Sequence, residues 1–146
     1  MLNYLKRYLA VQGKCRLMIQ GTSMSPVICE GETVEIQRYD TYSIGDILVF
    51  YYKNEGLLAH RCLKIKEGRY FCKGDNSLRL EDITTEQIVG KIDLPNDPHR
   101  TEEFLNASYG ISYLFRKCRY NREIIMQTEE YQEYKRKYLE QSYDKI

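Results

Sequence analysis

The spacing of apolar residues changes character twice along the chain. Between residues 2 and 11, Leu2, Leu5 and Leu9, with Tyr8 near them, recur at near-helical intervals beside Lys6 and Arg7, and Gly13 closes the pattern. This predicts a short amphipathic helix. After Cys15 the texture becomes short runs rich in Val, Ile, Tyr and Phe, at residues 16–20, 33–38, 46–52, 57–66, 69–73 and 88–92. Turn-forming residues separate the runs at Glu30-Gly31, Gly45-Asp46, Asn54-Glu55-Gly56 and Glu67-Gly68. Such alternation predicts strands of a compact, mostly antiparallel sheet. Pro95 and Pro98 then bracket a linker at Asn96-Asp97, after which glycine is rare. Beyond it Phe104, Ala107, Ile111, Leu114, Phe115 and Cys118 recur every three to four residues, as on the buried face of one helix. A second helix is expected from about Asn121 to Gln141, with Tyr131, Tyr134 and Tyr138 on one side and a Glu133 to Lys137 pair at i,i+4 spacing. The expected class is mostly β with helices (α+β). Residues 1–95 form a β domain with an N-terminal helix, and residues 96–146 form a C-terminal helical extension.

Composition narrows the partners. A chain of 146 residues can bury one core. Its 22 basic and 21 acidic residues nearly cancel, so no bulk field draws it to nucleic acid or an anionic membrane. The cysteines (Cys15, Cys29, Cys62, Cys72, Cys118) are odd in number and lack C-x-x-C spacing. That is poor material for a disulfide framework or a structural zinc site, and it points to a reduced, cytoplasmic compartment. The longest apolar run, residues 47–52, is far below the roughly 18 residues of a membrane span, and no secretory signal opens the chain. A soluble protein is expected, with peripheral membrane contact through the first helix left open.

Candidate chemistry begins at Gly21-Thr22-Ser23-Met24-Ser25-Pro26, where glycine permits a sharp turn that exposes the Ser23 hydroxyl. A serine becomes a nucleophile only beside a positioned base. Of the two histidines, His99 lies in the Pro-flanked linker and His60 in the strand-like run 57–63. An imidazole can be neutral near pH 7 and accept a proton with little help from its surroundings. Lys64 and Lys66 share the side of His60 by strand parity, but a lysine base would need strong desolvation. Cys62 also shares that side and reads as a small buried hydrophobe rather than a nucleophile. Arg116, Lys117, Arg119 and Arg122 form a basic cluster that reads as a solvated face.

Three further blocks follow Gly21–Pro26 in order: Gly45-Asp46-Ile47-Leu48-Val49-Phe50, His60-Arg61 and Lys73-Gly74-Asp75-Asn76. Together the four resemble the boxes of the signal peptidase I family, in particular its histidine-type branch. The resemblance covers residues 15 to 93. It implies a serine endopeptidase with antiparallel sheets around a groove in which a peptide lies extended. Ser23 is then the nucleophile and His60 the base. Met24 lines or supports the groove, Gly21 is counted with it as a groove or oxyanion residue, and the Ser23 N–H helps bind the oxyanion. In that branch an acid downstream of the last box partners the histidine. The matching stretch is Leu80-Glu81-Asp82, with Asp82 favoured over Glu81. Asp75 remains a candidate, but is expected mainly to pair with Arg61 or shape its turn, and Asp46 to cap a turn.

The chemistry so implied needs no metal or organic cofactor. Its substrate is a peptide or precursor protein, from which a leader or signal-like segment is removed. Because the hydrophobic anchors of membrane-held signal peptidases are missing, ordinary secretory preproteins are not the expected substrate. Two alternatives accompany this expectation: a non-catalytic peptide-binding module of the same fold, and a LexA-like self-cleaving regulator. The second is disfavoured because the short stretch before Ser23 leaves no room for a helix-turn-helix.

Overall fold

The computed structural model describes residues 2–141. It is an α+β structure: an antiparallel sheet of seven strands curls into a half-barrel, with one helix at the N-terminus and the remaining helices at the C-terminus. Helix α1 is Leu2–Gln12. The strands are β1 (Lys14–Met18), β2 (Thr33–Gln37), β3 (Ile47–Tyr51), β4 (Leu57–Lys66), β5 (Arg69–Lys73), β6 (Glu81–Thr84) and β7 (Ile88–Ile92), in the spatial order β1-β2-β7-β3-β4-β5-β6. Among the described residues no helix is long and apolar enough to cross a membrane.

The central strand β3 shows why the sheet curls around two cores. Successive side chains of a strand point to opposite faces. Ile47 and Val49 therefore join Leu9, Met24, Ile28, Ile36, Val89 and Ile92 on one side. Leu48 and Phe50 join Cys62, Tyr70, Cys72, Ile83 and Ile88 on the other. A strand buried on both faces reads as the continuous apolar run seen in the sequence. Of the predicted apolar stripe of α1, Leu9 is buried in the first core, Leu5 packs on it, and Tyr8 faces outward. The Leu2 side chain lies outside the described residues.

Two expectations need correction. Strand β6 is absent from the runs the sequence predicts; it is short, but its burial alternates strictly, with Glu81 and Ile83 inward and Asp82 outward. In β4 the pairing with β5 skips between Cys62 and Lys64. That bulge breaks the parity on which Lys64 and His60 would share a side.

A third core lies in the C-terminal segment. Helix α2 (Glu102–Lys117) starts at Thr101, whose hydroxyl accepts the Phe104 N–H, and has Glu102 and Glu103 in its first turn and Arg116 and Lys117 in its last. Both choices suit the helix dipole. The predicted second helix is broken into α3 (Arg122–Met126) and α4 (Glu129–Tyr134), followed by a π-helical turn at Lys135–Leu139. Thr128 makes the break: its hydroxyl accepts the Tyr131 N–H at 3.2 Å and donates to the Ile125 carbonyl at 2.6 Å. Phe104, Ile111, Ile125, Tyr131 and Tyr134 pack there with Leu78 of the loop between β5 and β6. Residues 142–146 of the expected extension lie outside the described residues.

The break at Thr128 is testable. Ala favours helix interiors but cannot cap, so Thr128→Ala is expected to lower unfolding free energy by about 1 kcal/mol in urea titration. A continuous helix over these residues would instead gain stability from the same change.

Candidate active site

Two separate stretches of chain bring Ser23 and His60 together. Ser23 sits in the loop that follows β1. Gly21 holds φ 80°, and its N–H donates to Glu30 Oε2 at 2.8 Å. That backbone conformation suits glycine, but the N–H is committed to Glu30, so Gly21 is not an oxyanion donor. Met24, the next residue but two in the turn, is buried against the first core. The Ser23 N–H has no hydrogen-bond partner among the described residues, as an oxyanion donor requires.

His60 lies on β4 and is almost fully buried, at 5% exposure. Its Nε2 stands 3.1 Å from Ser23 Oγ, and its Nδ1 stands 2.7 Å from Glu81 Oε1. An ionised carboxylate can only accept, so Nδ1 carries the proton and Nε2 is left with the lone pair that faces the serine hydroxyl. Glu81 is 1% exposed, and its second oxygen accepts from Arg79 Nε and Nη2, each at 3.2 Å. Ser23, His60 and Glu81 thus form a continuous hydrogen-bonded relay of hydroxyl, imidazole and carboxylate, the arrangement that a nucleophile, a base and an orienting acid would need.

The expectation that Asp82 orients the imidazole is corrected. Asp82 points out of the sheet and accepts from Arg69 Nε at 2.6 Å, with both side chains about half exposed. Strand parity decides the matter: on β6, Glu81 shares the inward face with the fully buried Ile83. Asp75 does not touch His60. It is fully buried and takes Nε and Nη2 of Arg61, each at 2.9 Å, and His99 Nδ1 at 2.8 Å. Arg61 also reaches Asp97 at 2.6 and 3.1 Å. Burial pushes the Asp75 carboxyl up, but Arg61 and His99 outweigh it and hold the group below its ordinary range. Burial pushes Arg61 down, and Asp75 and Asp97 more than offset that, keeping it above its ordinary value. Asp46 accepts the Ser43 N–H at 2.8 Å, closing the turn into β3, and pairs with Arg100 at 2.7 Å.

Among the described residues no lysine amine is bonded to the Ser23 hydroxyl. The Lys64 amine lies over the rings of Phe71 and Tyr109, and Lys66 is exposed. Lys73 is fully buried, and burial pushes its amine down to about 7 against the pull of Asp75 and Glu81. Its Nζ donates to Ser108 Oγ at 2.9 Å and the Gly74 carbonyl at 3.0 Å. This is the spacing of a serine–lysine dyad, but Lys73 and Ser108 are both 0% exposed and closed to any substrate. Cys62 and Cys72 face each other across β4 and β5 as buried free thiols, with burial pushing Cys72 up.

Two cavities open on either side of Ser23. One, of about 280 Å³, is apolar and runs between residues 17–20 and residues 57–59, with Met24, Ile36, Val49 and Ile92 at its base. The other, of about 370 Å³, is lined by the titratable and polar residues His60, Asn76, Arg79, Glu81 and Arg122 together with Leu58, Leu78 and Phe115. The basic cluster thus divides: Arg122 reaches the cleft, while Arg116 and Lys117 lie by the exposed ring of Tyr113. Among the described residues strand β1 pairs only with β2, and residues 57–60 of β4 pair only with β3. Both flanks of the apolar trench are therefore unpaired strand edges.

Glu81→Gln preserves shape but removes the charge that selects the productive imidazole tautomer. It is expected to slow acylation of Ser23 by on the order of 10³–10⁴-fold, whereas Asp82→Asn should leave the rate within about two-fold, its partner being a surface arginine. Rate constants from mass spectrometry of the acylated protein decide between the acids. Lys73 gives a pH signature. Its folded pKa lies below the unfolded value, so the unfolded chain binds more protons between about pH 7 and 10.5, and wild-type stability rises with pH through that window. Relative to Lys73→Met, the wild-type Tm should climb from pH 7 to pH 9 and be flat from pH 5 to 6, as read by thermal melts of both proteins. The chain matches no family model and no curated protein, so its functional reading stands on this geometry and on the sequence boxes.

Proposed function

We propose that the protein is a serine endopeptidase of the signal peptidase I kind, which removes a leader or signal-like segment from a precursor peptide. The observation that carries this is the Ser23–His60–Glu81 relay at 3.1 and 2.7 Å, with the hydroxyl open to a cleft. The order of the four sequence boxes, which resembles that family, supports the same chemistry.

In this mechanism His60 Nε2 takes the Ser23 proton as Oγ attacks the scissile carbonyl. Glu81 holds Nδ1–H and stabilises the imidazolium that forms. The Ser23 N–H donates to the developing oxyanion. The imidazolium then protonates the leaving amine, and His60 activates the water that releases the acyl group.

Affinity would come from the trench. An extended peptide can add to the unpaired edges of β1 and of residues 57–60, with its backbone completing both ladders. Alternate side chains would then drop among Leu17, Ile19, Met24, Val49, Leu58 and Ala59. Those walls suit small or aliphatic residues. A relative of the same fold that only binds peptides has no use for an aligned base and acid, which weighs against the module.

Incubation with a library of unstructured peptides, read by product masses, tests the proposal. The wild type should cut, with aliphatic or small residues enriched on one side of the bond. Ser23→Ala and His60→Ala should each lose at least about 10³-fold, and Lys64→Ala should cut normally. Turnover kept in His60→Ala and lost in Lys64→Ala would overturn the choice of base. Peptide bound but left uncut by the wild type would favour the module.

A further inference from the structure

The nucleophile loop is held by one tripeptide, Gly74-Asp75-Asn76. The Asn76 N–H donates to the Ser23 carbonyl at 2.8 Å, and Asn76 Nδ2 donates to the Thr22 carbonyl at 3.2 Å. The Asp75 N–H reaches Met24 Sδ at 3.4 Å. Gly74 lies so close that a Cβ there would stand 2.7 Å from the Ser23 carbonyl oxygen and 3.1 Å from His60 Cδ2. The position of Ser23 against His60 therefore depends on where this tripeptide sits.

The far side of the tripeptide is gripped by the C-terminal segment. Tyr134 of α4 donates its hydroxyl proton to the Asp75 carbonyl at 2.6 Å, and Lys73 Nζ in turn reaches the Tyr134 hydroxyl at 3.3 Å. Burial pushes the Tyr134 phenol above its ordinary range, so it stays a donor. His99 donates from Nδ1 to the Asp75 carboxylate, and its ring stacks on Phe104 of α2 with centroids 3.9 Å apart. Arg61, the residue after the base, joins Asp75 to Asp97 of the same segment.

We propose that the C-terminal segment is a clamp that sets the nucleophile against its base, with Tyr134 and His99 as positioning residues acting through Asp75. This rests on the serine-peptidase reading. Neither residue touches the reacting atoms. Their effect is on the placement of Ser23 Oγ, where a displacement of about 1 Å can cost on the order of 10²-fold in rate.

The test is the rate at which a penem, a strained β-lactam acyl donor, acylates Ser23, followed by intact mass from pH 5 to 9 at a temperature well below the Tm of every variant. Tyr134→Phe keeps the ring and loses the donor. It is expected to slow acylation on the order of ten-fold or more while leaving the shape of the pH profile unchanged. His99→Phe, which keeps a stacking ring without Nδ1, should slow it similarly. His99→Asn, whose amide can donate from the place of Nδ1, should recover part of the loss. Ile125→Val loosens the same helical core without touching Asp75, and should lower Tm yet acylate at the wild-type rate. Should Tyr134→Phe fail to fold, the two His99 variants decide the matter. Wild-type rates in Tyr134→Phe and His99→Phe, or equal slowing in Ile125→Val, would overturn the clamp and leave the peptidase reading intact. A wild type that cuts no peptide and takes no acyl group on Ser23 would overturn both.

Discussion

The buried ion pair of Arg61 with Asp75 is the constraint around which the rest of the molecule is arranged. Both side chains are 0% exposed. Charges taken so far out of water are tolerated only when almost every donor and acceptor is matched, and removing one partner typically costs about 3–5 kcal/mol. The matching is drawn from the whole chain: β4 supplies Arg61, the Gly45 carbonyl and Asp97 take its remaining hydrogens, and His99 completes Asp75. Satisfying one pair therefore fixes the sheet, the nucleophile loop and the linker to the C-terminal helices relative to one another. No buried side-chain nitrogen or oxygen among the described residues lacks a partner, so the network is closed.

Strand periodicity couples this pair to the chemistry. His60 and Arg61 are neighbours on β4, and neighbours on a strand face opposite ways. The imidazole is delivered to the cleft beside Ser23, and the guanidinium to the buried network behind it. One dipeptide thus carries the proposed base on one face and its scaffold on the other. The same rule selects Glu81 on β6, since the alternation that buries Ile83 also turns the Glu81 carboxylate inward and Asp82 outward.

How much of this was legible in the sequence follows the same physics. Runs with several apolar residues in period, such as Leu57–Lys66, Arg69–Lys73 and Ile88–Ile92, matched the strands in type and extent. Ser23 and His60 were legible through chemistry and motif together. The third acid was not, because β6 is only four residues long and offers one apolar residue, Ile83, as a sign of its period. Taken as a strand, that single residue would have favoured Glu81. The bulge at Leu63 was hidden for another reason, since it depends on what the partner strand demands at that point. Thr128 did carry a signal, being followed by Glu129 and Glu130 as Thr101 is by Glu102 and Glu103, but the tyrosine period running past it favoured one continuous helix. The hold of Tyr134 on Asp75 spans 59 positions in sequence, a contact that no local pattern encodes.

The contrast between His60 and Lys73 bears on why the proposed base is a histidine in this arrangement. A lysine becomes neutral near pH 7 only through deep burial, and Lys73 shows the degree required: it is fully enclosed, its amine lowered to about 7. Enclosure of that depth also seals the amine against Ser108 and Tyr134, away from any cleft. A lysine that served as base would have to be desolvated by walls that still left the serine open, which demands an apolar lid or the substrate itself. Histidine needs no such walls. His60 can stand in the wall of an open cavity beside the trench, with Glu81 behind it and Ser23 in front. A trench flanked by two unpaired strand edges is compatible with the proposed base, because such a cleft can stay open to the proposed peptide without disabling the imidazole.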